Sequence, residues 1–121
     1  MQGGIHESQE KSAIAYFAKA GFAIFPFHVA IEGHNVWADF AATRGRRVIL
    51  VECVTDWREP AEMIQHKMRL APICELWFVV QEYGKIYLKS LGYKVARLAS
   101  SDLPFWICWP PTKKRPNLAL Q

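Results

Sequence analysis

Two apolar runs, residues 36–42 (VWADFAA) and 48–54 (VILVECV), are joined by Thr43-Arg44-Gly45-Arg46, and each carries one carboxylate, Asp39 and Glu52. β-Branched and aromatic residues on either side of a glycine-centred turn predict a hairpin. A carboxylate inside a buried strand costs several kcal/mol unless it is paired or bound to a metal. Two such groups on neighbouring strands, thirteen residues apart, are explained by one shared divalent cation, against a bland alternative in which Asp39 caps a turn and Glu52 pairs with an arginine. In the second run Val48, Leu50, Glu52 and Val54 alternate with Ile49, Val51 and Cys53, so both faces are apolar and the strand is expected to be central and covered on both sides.

The other elements follow from periodicity. Residues 7–20 predict a helix with Ile14, Phe17, Ala18 and Gly21 on its buried face, Glu10 extending that face and Gly21 as the stop. Residues 23–29 predict a first strand, placed at an edge or bulge by Pro26. Pro60 opens a helix running to about Leu70, before Pro72; a strand over 74–80, a helix over 83–91 ended by Gly92, and a strand over 93–98 complete the pattern. The stretch FWICWPP and the tail TKKRPNLALQ are expected to be extended and partly disordered. The order α-β-β-β-α-β-α-β predicts an α/β fold with a mixed central sheet and helices on both faces.

At 121 residues the chain is sized for one domain. No apolar run approaches the ~18 residues of a membrane span, and MQGGIHESQEK has no signal-like apolar segment, so a cytoplasmic location is expected. Cys53, Cys74 and Cys108 are odd in number, widely spaced and set in apolar runs, which predicts buried free thiols rather than a zinc site. The net charge of +4 gathers in two places: Arg44, Arg46 and Arg47 at the hairpin tip, and Lys113, Lys114 and Arg115 in the tail. Such clusters suit phosphate contacts, or else serve as a solubilising surface.

On this hairpin Trp37, Asp39 and Ala41 share one face, and Asp39 and Glu52 can project close enough to hold Mg2+, which takes one or two carboxylates, a backbone carbonyl and several waters. In the following helix Lys67 falls inside the apolar arc of Ala61, Ile64, Met68 and Ala71, and Gln65 at its edge, whereas His66 points to solvent. Lys67 either serves a site or snorkels to water. His28 and His34 look isolated. Trp57 and Arg58, in the loop after the third strand, are placed to stack on a base or contact phosphate, with plain packing of the tryptophan as the alternative.

The order of elements, with Asp39 on the second strand and Glu52-Cys53-Val54 on the third, resembles the PD-(D/E)xK nuclease superfamily, in particular its small resolvase-like and very-short-patch-like members. The resemblance covers about residues 7–98 and implies a restriction-endonuclease-like domain over 1–110, followed by a basic tail over 111–121. It implies hydrolysis of DNA phosphodiesters with Mg2+ or Mn2+ held by Asp39, Glu52 and the Cys53 carbonyl, with Glu10 matching an acid of the first helix. The lysine of the (D/E)xK element is Val54, and the resemblance implies Lys67, with Gln65 beside it, as the replacement. DNA would then be the partner, held by Arg44, Arg46, Arg47, Trp57, Arg58, Lys113, Lys114 and Arg115, and a homodimer would let two copies meet both strands. The alternative consistent with Val54 is an inactive module of the same fold that binds DNA or a protein.

Overall fold

Strand β5 (Arg47–Val54) is the axis of the protein, and every residue from Ile49 to Val54 is buried. The computed structural model describes residues 2–99 and 101–113; Lys114 and Arg115 of the basic tail lie outside them. Helix α1 (Gln2–Lys19) comes first, followed by the short strands β1 (Ala23–Phe25), β2 (Val29–Ala30) and β3 (Trp37–Ala38). Strand β4 (Phe40–Arg44) leads through a tight turn into β5. Helix α2 (Pro60–Lys67), with a 3-10 turn Met68–Leu70, carries the chain to β6 (Glu75–Val80). Helix α3 (Glu82–Ser90), β7 (Lys94–Arg97) and β8 (Trp106–Trp109) complete the fold. The main sheet is six-stranded in the order β1-β4-β5-β6-β8-β7, and β2 and β3 form a separate two-stranded ribbon. Among the described strands of this sheet only the β5–β6 pair is parallel, because α2 crosses over between them; the other pairs are antiparallel.

Local chemistry explains the boundaries. Gly45, at φ 61° between the paired Arg44 and Arg47, supplies the positive φ of a two-residue hairpin loop. Gly21 (φ 85°) closes α1: the Phe22 N–H reaches the Phe17 carbonyl and the Gly21 N–H the Ala18 carbonyl. The helix begins at Gln2 rather than at residue 7, and its buried side is Gln9, Ala13, Tyr16, Phe17 and Ala20; Ala18 is exposed, so the face is rotated from the one the sequence pattern predicts. The predicted strand over 23–29 is broken after Phe25, where Pro26 cannot donate to a ladder. The predicted strand over 36–42 is also two pieces, with a bend at Asp39 dividing β3 from β4. The FWICWPP segment contains a true strand, β8, inserted between β6 and β7.

Two apolar clusters sandwich the sheet. On one face α1 packs Ala13, Phe17 and Ala20 on Phe40, Ile49, Val51, Cys53 and Trp77. On the other, Ile64 of α2, Leu70 and Leu88 of α3 pack on Leu50, Val54, Leu76, Phe78 and Val80. Aliphatic and aromatic side chains of this size contribute about 1.5–3 kcal/mol each on full burial, which fixes the register of β5 and hence the side on which Glu52 emerges. Cys53 and Cys108 are buried, Cys74 is half-buried, and all three are free thiols. No described helix is long and apolar enough to cross a membrane.

Candidate functional site: an acid pair at the end of the central strand

The bend at Asp39 follows from a hydrogen-bonding need. The β4–β5 ladder ends at the Phe40–Val51 pair, with a last bond from the Asp39 N–H to the Val51 carbonyl at 3.0 Å. Two residues further along β5, beyond the last ladder pair, the Cys53 N–H faces the same edge, and Asp39 Oδ2 accepts it at 2.8 Å. The carboxylate thus completes the ladder, and this holds it in a nearly dry position, 7% exposed. An extended residue presents its N–H and C=O to the same side, so the Cys53 carbonyl also leaves β5 toward the Asp39 edge.

Glu52 emerges on the α2 face, 4% exposed. Lys67, in the last turn of α2, brings its Nζ to 3.3 Å from Glu52 Oε2 and also donates to the Trp37 carbonyl. Glu52 Oε1 is buried and has no hydrogen-bond partner among the described residues. Burial first, then the negative charge of Asp39, push the Glu52 carboxyl up to about 8, although Lys67 pulls the other way. For Asp39 burial acts upward too, but the hydrogen bonds from His6 and the Cys53 N–H outweigh it and hold the group below the usual carboxylate range.

The first turns of α1 close the site. His6 Nε2 lies 3.2 Å from Asp39 Oδ2 and His6 Nδ1 lies 3.1 Å from Glu10 Oε1, so the imidazole bridges two acids. The hydrogen bond to Asp39 raises the His6 pKa to about 9 against the opposing effect of burial. Burial and then Asp39 push Glu10 upward, with His6 opposing. His28, from the β1–β2 loop, brings Nε2 to 3.6 Å from Asp39 Oδ1. Gln9 is fully buried and donates its amide to the Val54 and Val79 carbonyls at 2.9 and 3.3 Å, fastening α1 to the ends of the parallel pair. Neither His6 nor Gln9 stands out in the sequence, although His6 lies one helical turn before Glu10, a spacing visible once the helix is extended to Gln2.

The remaining candidates separate clearly. Trp57 and Arg58 are exposed, and Arg58 lines a cavity of about 170 Å3 with His6, Glu52, Cys53, Val54, Thr55 and Met63. Gln65 points elsewhere, donating to the Tyr87 hydroxyl of α3 at 2.8 Å. The basic hairpin tip is at the opposite end of β4 and β5, roughly 20 Å away at about 3.4 Å per residue. Two of its arginines serve the fold: Arg44 donates to the Ala20 carbonyl at 2.6 Å and stacks on Phe22, and Arg47 grips Glu75 through two bonds of 3.2 and 2.7 Å. Arg46 and Lys113 are exposed at that same far end, lining a common groove. Val54 is buried in the apolar cluster under α2 and carries no charge to the site.

Glu52 Oε1 is the buried oxygen of this pair left without a hydrogen-bond partner among the described residues. Among the described residues no three His, Cys, Asp or Glu side chains form a metal-holding group. A cation here would therefore draw on Asp39, Glu52, the Cys53 carbonyl and water, a donor set of the kind Mg2+ and Mn2+ accept. The adjoining cavity has room for several waters. Comparison with protein families, characterised proteins and solved structures found no match to this chain.

Proposed function

We propose that the protein is a metal-dependent nuclease of the PD-(D/E)xK type, acting on DNA phosphodiesters. The observation that carries this reading is the convergence of Asp39, Glu52 and Lys67 from three separate elements, with one Glu52 oxygen buried and unpartnered. The β4–β5 hairpin, the α2 crossover and the parallel strand β6 support the restriction-endonuclease-like arrangement. Asp39, Glu52 and the Cys53 carbonyl would hold Mg2+ or Mn2+, which when bound supplies charge for the scissile phosphate and acidifies a water. Lys67 carries the positive charge that Val54 lacks and delivers it to Glu52 from α2. Glu10 holds His6 on Asp39, so α1 keeps a protonated imidazole at the rim where a phosphate oxygen would approach.

The test is cleavage of DNA in Mg2+ or Mn2+ by the purified chain. Turnover is expected, with Glu52→Gln and Lys67→Met each lowering the rate by about 10²–10³, as loss of a charge-stabilising group does. Cleavage by Glu52→Gln at the wild-type rate would end the nuclease reading. One observation favours a second reading: His6 and Lys67 already offset Asp39 and Glu52. That arrangement supports an inactive nuclease-fold module, which binds nucleic acid without turnover and melts at the same temperature with and without metal.

A further inference from the structure

Among the described residues five aromatic side chains, Phe25, Phe27, Trp37, Trp57 and Tyr83, are more than half exposed. All five belong to the end of the sheet that carries the acid pair. Phe25 ends β1 opposite Ala41 and packs edge-on against Phe27 at 5.3 Å. Phe27 precedes His28, whose imidazole approaches Asp39, and the Trp37 carbonyl receives the Lys67 ammonium. On the other flank Trp57 follows Asp56, and the Asp56 carboxylate accepts the Tyr83 N–H at 3.0 Å. Trp57 and Arg58 line an open cleft that shares Arg58 and Met63 with the small cavity at Glu52.

Exposed rings are costly to keep in water, and their distribution identifies what covers them. The core of a protein–protein interface is depleted of charged residues. Here exposed His28, Arg58 and Glu59 are interspersed with the rings. Separate rings divided by polar groups are what successive unstacked bases require, since every base offers a π-face. The Trp57 cleft also carries Glu59 and Glu62. Duplex DNA presents one charge per ~1.7 Å of axis, about twice the density of one strand, so these acids oppose a duplex more than a single strand.

We infer that the rings flanking the acid pair, Phe27 and Trp37 on one side and Trp57 on the other, form a stacking platform for single-stranded nucleic acid, whose backbone crosses between them at Asp39 and Glu52. This rests on the phosphodiester reading for the role of the acids but not for the binding.

The experiment is anisotropy of a fluorescein-labelled oligothymidylate of about 16 nucleotides, the upper site size for one such module. It is run in EDTA beside an oligouridylate and a duplex of the same length. Expected are tighter binding of at least one single strand than of the duplex, a loss of about tenfold in Trp57→Ala and in Trp37→Ala, and recovery of most of it in Trp57→Phe. The two single-stranded probes decide between DNA and RNA. Single-strand binding without any cleavage in Mn2+ would defeat the hydrolytic reading and leave this one standing. Equal or tighter duplex binding, no binding of either single strand, or alanine variants that bind like the wild type would overturn it.

Discussion

Replacing Glu52 by glutamine should stabilise the metal-free protein, and more so as the pH rises. Two opposing changes follow from the structure. The variant loses the Glu52–Lys67 ion pair at 3.3 Å, but it also removes a carboxylate that is 4% exposed and faces Asp39. The second effect wins, because the Glu52 carboxyl is pushed from 4.5 to about 8 even with Lys67 beside it. A carboxyl with a raised folded-state pKa binds its proton more tightly in the native state. Stability is then unaffected below pH 4.5 and falls as the pH climbs to about 8. At about 1.36 kcal/mol per pKa unit, wild-type Glu52 costs the fold ~3 kcal/mol between pH 5 and pH 8. Glutamine keeps the shape and never ionises. Urea unfolding in EDTA, followed by tryptophan fluorescence, should therefore show the variant gaining ~3 kcal/mol over wild type on moving from pH 5 to pH 8. An advantage that is constant with pH, or a variant equally destabilised at both, would refute the claim that this carboxylate is held against its own charge.

Two further outcomes are expected. The His6 pKa is raised from 6.5 to about 9 by Asp39, so its contribution is fully present below pH 6.5 and is lost as the pH passes through 9; comparing His6→Ala with wild type across pH 6–10 should reveal a stability gap that closes at the alkaline end. Gly84→Ala should lower the melting temperature by several degrees although alanine is the better helix former by ~1 kcal/mol, because the new Cβ would lie 2.8 Å from Val80 Cβ and force α3 off β6; a thermal melt at or above wild type would contradict that packing.

The parts of the fold legible in the sequence are those governed by apolar alternation. The two-faced pattern of residues 48–54 marks β5 as central, and the structure covers it on both sides. Gly21, Gly45 and Pro60 sit where their backbone requirements place them. What was hidden depends on long-range polar contacts. The bend at Asp39 exists because Cys53, fourteen residues later, needs an acceptor. His28 looks isolated because its partner lies eleven residues later, at the bend between β3 and β4, and Gln9 is buried only because the ends of two parallel strands leave carbonyls to satisfy. The structural side of the arginine-rich turn is hidden for the same reason: in sequence the cluster reads as a surface for phosphate, and only the fold shows that Arg44 and Arg47 bond Ala20 and Glu75. Lys67 was visible as a cation on an apolar arc, and the crossover geometry brings it to Glu52.

The central claim is that Asp39 and Glu52 face a cation site. Its most direct test is the melting temperature in EDTA and in rising Mn2+ at pH 8, for wild type, Asp39→Asn and Glu52→Gln. A true site adds about 2.7 kcal/mol at one hundred times its Kd. The account predicts a wild-type melting temperature that climbs with Mn2+ and two variants that stay flat. Three coincident curves, unmoved by metal, would contradict it.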